Sequence, residues 1–120
     1  MAVTQKENPR LASLIRDLRA FAREGSAPVW RDIADRLAGP RRNWAEVNLS
    51  RIARYARAKE TVAVPGVVLA SGTLSIAVTV GTIRASAGAR RKIEAAGGQV
   101  VGLEDLARGN PKGSGVRILG

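Results

Sequence analysis

The sequence predicts an α/β fold in which N-terminal helices precede an irregular stack of strands and helices, and three observations predict it. Apolar residues in the first forty positions recur every three or four residues. An uncharged stretch from Thr61 to Ile83 carries β-branched residues at alternate positions. Glycine and proline then punctuate the chain at short intervals, cutting the second half into brief elements. A chain of 120 residues suits one domain over 1–120, with a helical part at 8–39 and a mixed strand and helix part at 40–120.

The first helix is expected to start at Asn8-Pro9, with Asn as cap and Pro in the first turn, where its missing N–H costs nothing. It should run to Gly25, because Leu11, Leu14, Ile15, Leu18 and Phe21 form one apolar stripe while Arg16, Arg19 and Arg23 face away. A second helix should open near Ser26 to Pro28, carry Val29, Trp30, Ile33, Ala34 and Leu37 inward, and stop at Gly39-Pro40. Trp30 reads as a core anchor. Val47 and Leu49 alternate as a short strand, and Ser50 is placed to cap a brief helix carrying Arg51, Arg54 and Arg57.

Within the uncharged stretch, Pro65-Gly66, Ser71-Gly72 and Gly81 are expected to cut strand pieces at Val62 and Val64 and again at Ile76, Val78 and Val80. Those interruptions, together with the alternation, argue against a membrane span despite the length. Ser86 to Ala96 reads as a third longer helix ended by Gly97-Gly98. A strand at Val100-Val101 follows, then a short helix with Leu103, Leu106 and Ala107 stopped by Asn110-Pro111. Lys112-Gly113-Ser114-Gly115 is a loop before a last strand at Val116-Arg117-Ile118.

Charge narrows the function. The formal net charge is +10, spread along the whole chain, and Arg supplies sixteen of the twenty cations. A guanidinium fork holds two phosphate oxygens or stacks on a base, so structured nucleic acid is favoured over acidic lipid as the partner. Cysteine and histidine are both absent, which removes disulfides, thiolate nucleophiles, imidazole bases and nearly every zinc site. Most carboxylates sit within a helical turn of an Arg or Lys, as in Arg16-Asp17 and Asp35-Arg36, and read as solvated helix faces. No cleavable signal is visible after Met1, and a reducing cytoplasm is the simplest compartment.

Candidate RNA contacts follow from clustering. Arg41-Arg42-Asn43-Trp44 sets two forks beside an aromatic; Trp44 either packs beneath its loop or stacks on a base. Arg51, Arg54 and Arg57 would share a face whose mutual repulsion an anion relieves. Arg10 and Lys112 complete the primary set, and Arg90, Arg91, Lys92 and Arg117 form a second. Gly113 and Gly115 would let backbone approach a phosphate, but a plain turn explains them better. Two alternatives belong to other classes: a helix-turn-helix or chromatin-type DNA-binding protein, and a basic module for an acidic protein. Asp32 and Asp35 on the second helix oppose the first of these, since they would face DNA phosphates.

Several segments in order carry a family resemblance. Asn8-Pro9-Arg10-Leu11, Pro40-Arg41-Arg42, Glu46-Val47-Asn48-Leu49-Ser50-Arg51-Ile52 and Thr61-Val62-Ala63-Val64-Pro65-Gly66 are followed by Val68-Leu69-Ala70-Ser71-Gly72, Val78-Thr79-Val80, Lys92-Ile93-Glu94 with Ala96-Gly97-Gly98, and Asn110-Pro111-Lys112-Gly113-Ser114-Gly115-Val116-Arg117. Across almost its whole length the chain thus resembles the archaeal and eukaryotic family of large-subunit ribosomal protein eighteen, related to bacterial large-subunit protein fifteen. Its shortness resembles the archaeal form. Val67, Ala70 and Ala85 depart from the family pattern, which commonly has Lys, Gly and an aromatic there. The resemblance implies a structural constituent of the large ribosomal subunit in the cytoplasm, bound to large-subunit ribosomal RNA and neighbouring ribosomal proteins. It implies no enzyme, cofactor, membrane or small-molecule substrate.

Overall fold

Proline opens both N-terminal helices: Pro9 begins α1 (Pro9–Gly25) and Pro28 begins α2 (Pro28–Ala38) in the computed structural model, which describes residues 9–120. The expected Asn8 cap lies outside the described residues. Trp30, Ile33, Ala34 and Leu37 form the buried stripe of α2, and Leu18 is fully buried beneath α1. After a 3-10 turn at Arg41–Asn43 come β1 (Ala45–Asn48), α3 (Leu49–Tyr55) and β2 (Thr61–Leu69). The chain continues through β3 (Thr79–Ala85), α4 (Ala87–Ala95), β4 (Gln99–Gly102), α5 (Leu103–Gly109) and β5 (Val116–Ile118).

All strand pairings are parallel. The sheet runs β1-β2-β3-β4, and β5 pairs with β2 as well. Residues 61–63 of β2 take β5 and residues 66–69 take β1, so those two short strands share one edge end to end while β3 fills the other. Parallel sheets need cover on both faces. Here Val62, Val64, Val68 and Val80 pack with α3 and α4 on one side, while Ala63 packs with α1, α2 and α5 on the other. Gly81 faces α5 on that second side, where a Cβ would meet the Leu106 side chain.

Three expectations are corrected. Neither Pro65-Gly66 nor Gly81 cuts a strand: β2 runs through the first, with the register to β3 shifting between Val64 and Val67, and β3 runs through Gly81. Proline has no N–H to give the ladder, so pairing slips by a residue there and resumes. The buried Thr82 hydroxyl donates to the Gly66 carbonyl at 2.8 Å, supplying a bond at the irregularity. Gly66 is needed for a second reason, since a Cβ would run into the Ala45 carbonyl oxygen of β1.

The second correction concerns Ile76 and Val78, expected in a strand but lying in the connection before β3. Residues 70–78 must return from the end of β2 to the level of its start, roughly 26 Å at about 3.3 Å per residue. Nine residues can cover that only when nearly extended, which gives a strand-like alternation without a strand; Leu74 and Ile76 pack on the α3/α4 cluster. Third, Ser50 is not a cap: Asn48 occupies that position, without a side-chain capping bond, and Ser50 lies in the first turn of α3. At α4 a side-chain cap is present, the Ser86 hydroxyl accepting from the Ala89 N–H at 3.1 Å.

Trp30 ties the two ends of the chain together. Its indole N–H lies 3.1 Å from the Asn110 carbonyl and 2.9 Å from that of Pro111, while the ring is fully buried. Trp30→Phe keeps most of the ring volume but strips both carbonyls of their donor. Urea unfolding should show a loss of about 1–3 kcal/mol, with an unchanged dependence on denaturant.

Candidate nucleic-acid interface

The cations of the described residues fall into two groups according to whether a carboxylate holds them. Arg19 meets Asp35 at 3.2 Å, Arg36 meets Asp32 at 3.0 Å, Arg108 meets Glu104 at 2.7 Å and Arg117 meets Glu60 at 3.3 Å. The cationic heads of Arg41, Arg42, Arg51, Arg54, Arg57, Arg90, Arg91 and Lys112 have no carboxylate within 4 Å among the described residues. All eight are exposed. Unneutralised guanidinium groups on a rigid frame repel one another, and an external anion relieves that repulsion.

Arg41 and Arg42 lie on the 3-10 turn, where the Arg41 guanidinium sits 4.7 Å from the Trp44 ring centroid. The Trp44 indole N–H donates to the Leu37 carbonyl at 3.2 Å and the side chain packs with the α1/α2/α5 cluster. Of the two readings left open for Trp44, packing beneath its loop is the one observed. Arg10 is exposed in the first turn of α1, and Lys112 is exposed in the turn before β5. That turn is a plain one: Gly113 abuts the Val29 side chain, and the Asn110 amide donates to the Ser114 carbonyl at 2.9 Å.

Arg51 and Arg54 share α3, but Arg57 does not join their helical face, because α3 ends at Tyr55 and Ala56 turns to extended backbone. Arg57 instead gives its backbone N–H to Glu60 at 2.7 Å. On α4, Arg90 and Arg91 are exposed, whereas the Lys92 ammonium donates to the carbonyls of Ala70 and Gly72 at 2.9 and 3.0 Å. Arg117 forks onto Glu60, Nε to Oε1 and Nη2 to Oε2, each at 3.3 Å. Lys92 and Arg117 are therefore engaged within the protein.

Sequence reasoning passed over Arg84, an exposed residue near the end of β3 and the single charge between Glu60 and Arg90. An isolated Arg closing a long uncharged run was the available signal. Arg23 and Arg31, also without a carboxylate among the described residues, line a groove between α1 and α2. The exposed side of α2 presents Asp32 and Asp35, each bound to an arginine. No helix among the described residues is long and apolar enough to cross a membrane; the uncharged stretch is β2, its connection and most of β3.

Fold and surface together define a small basic α/β domain, a parallel sheet covered by helices whose outer faces carry more positive charge than the protein neutralises internally. The family described as Ribosomal protein 60S L18 and 50S L18e matches residues 2–120. Among relatives, the large ribosomal subunit protein eL18 of Methanoregula boonei is 52% identical over 115 residues, covering 96% of this chain and 95% of its own. The eL18 proteins of Halobacterium salinarum and Archaeoglobus fulgidus are 53% and 47% identical, each over at least 95% of both chains. The chain belongs to the Ribosomal protein 60S L18 and 50S L18e family.

Glu60 gives a pH test of the internal network. Its carboxyl is held below the ordinary glutamate value first by the Arg57 N–H, then by hydrogen bonding to Arg117. A lowered folded-state pKa adds stability above the unfolded value, and that stability is lost as pH falls through the folded value. Glu60→Gln should therefore be less stable than wild type at neutral pH. The difference should vanish in acid, once the wild-type carboxyl is protonated in both states.

Proposed function

We propose that this chain is a structural constituent of the large ribosomal subunit. It binds and stabilises large-subunit ribosomal RNA, beside neighbouring ribosomal proteins and without turnover, cofactor or membrane attachment. It works in the cytoplasm, as part of that subunit. Family membership supports the particle, and the relatives carry the name of a large-subunit protein. The observation that carries RNA binding is the sorting of charge: acids hold Arg19, Arg36, Arg108 and Arg117, while eight of the sequence-predicted contacts keep exposed cationic heads without one.

Binding is positional. Cations on the 3-10 turn, α3 and α4 neutralise phosphates where RNA segments converge, and the released counterions supply the free energy. A-form RNA hides its major groove from side chains, so contacts fall on phosphates, 2′-hydroxyls and unpaired bases. Helix-turn-helix reading of DNA is not favoured, because the inner face of α2 is buried core and its outer face carries two acids.

Replacing Arg41, Arg42, Arg51 and Arg54 together with Ala should weaken binding to large-subunit RNA. For every phosphate left without its cation, the slope of log affinity against log salt should flatten by about 0.7 to 0.9. Arg108→Ala, which removes a cation already held by Glu104, should change neither quantity appreciably. Equal effects of the two variants, or unchanged binding by the fourfold variant, would overturn the assignment.

A further inference from the structure

The connection of residues 70–78 carries no charge, yet it is held from two sides. The Ser50 N–H of α3 donates to the Ser71 carbonyl at 3.1 Å, and the Lys92 ammonium of α4 spans the carbonyls of Ala70 and Gly72. Three successive carbonyls thus have internal donors. In a trans peptide the N–H after a carbonyl points the opposite way, so the N–H groups of Ser71, Gly72 and Thr73 turn outward. They have no acceptor among the described residues, and all three residues are exposed.

The backbone there accepts no side chain at Gly72. Its φ is +100°, and a Cβ would lie 2.6 Å from that of Ser50. Arg51 follows Ser50 directly, and the Arg91 guanidinium reaches back over Gly88, where a Cβ would stand 3.0 Å from that of Ala70. The hydroxyls of Ser71 and Thr73 belong to the same exposed stretch, whose neighbours in the fold are the residue before Arg51 and the glycine over which Arg91 reaches; both arginines are exposed and hold no carboxylate among the described residues.

We infer that the Ser71–Thr73 backbone is an RNA-contacting element, offering N–H donors to a phosphate between Arg51 and Arg91, and that Lys92 is its positioning residue, not itself a phosphate contact. Successive backbone N–H groups form anion-binding concavities when their carbonyls are turned away. Here the ammonium supplies that turn, committing its donors to the loop instead of to RNA. The inference rests on the RNA-binding reading above and assigns Lys92 a different role from that of its neighbours on α4.

The test compares Lys92→Met with Arg51→Ala and Arg91→Ala, using a large-subunit ribosomal RNA fragment over a range of salt. The arginine variants should each flatten the salt slope by about 0.7 to 0.9, one phosphate apiece. Lys92→Met should lose roughly tenfold in affinity with the slope unaltered, because it misplaces donors without removing a cation from a phosphate. In the free protein, amide exchange at Ser50 should accelerate in Lys92→Met and stay as in wild type in Arg91→Ala. A Lys92→Met protein that flattens the slope like the arginine variants, or keeps wild-type exchange at Ser50, would overturn the positioning role. Should wild type fail to bind the RNA at all, the functional reading and the RNA-contacting element fail, while exchange at Ser50 still decides whether Lys92 holds the loop.

Discussion

β2 is hydrogen-bonded along both edges, and the arrangement of the rest of the chain answers to that. One edge is filled by β3; the other is divided between β1, which arrives early in the sequence, and β5, which arrives last. A strand so enclosed is buried on both faces, and its residues are apolar throughout apart from Thr61. The alternation within it sets what lies on each side. Valines meet α3 and α4, while Ala63, with Gly81 beside it on β3, lets α2 and α5 come close. Because β5 contributes to the central pairing, the C-terminal segment is part of the frame, and Trp30 fastens the turns before it to the N-terminal helices.

That frame decides which charges are available. Residues on α3 and α4 are anchored by Ile52, Ala89 and Ile93, so their exposed arginines are held on fixed helices above a packed layer. Elsewhere the same residue type is used internally. Arg117 on β5 meets Glu60 just before β2 and, with the Arg57 N–H, fixes the approach to the central strand. Arg19 links α1 to α2 through Asp35. These pairs are exposed and each adds little stability; their main consequence is that the cation is already neutralised. Net charge alone cannot make that distinction.

Much of the architecture was legible because periodicity and punctuation agree. Pro9, Pro28, Gly39 and Gly97 mark helix limits, and Trp30 reads as core from its place in the stripe of α2. The two misreadings in the uncharged stretch share one cause: a local signal overridden by the demands of a strand distant in sequence. Pro65-Gly66 looks like a break until Thr82 supplies the hydrogen bond, and Ile76-Val78 looks like a strand until the return distance along β2 is counted. Among the cations, clustering picked out Arg41, Arg42, Arg51 and Arg54, which are exposed and hold no carboxylate among the described residues. It could not see that Lys92 is occupied by carbonyls twenty and twenty-two residues before it, nor that Arg117 meets an acid fifty-seven residues before it. Arg84 escaped because it stands alone in the sequence, where clustering has nothing to register.

Cross-linking in purified large subunits, read by peptide mass spectrometry, addresses the central claim most directly, since it reports the protein segment and the RNA in one observation. The expected result is cross-links concentrated in residues 41–57 and 84–91, with few at the paired arginine of α5. Cross-links chiefly at Arg108, or a chain that leaves the particles in a moderate salt wash without cross-linking to their RNA, would contradict it.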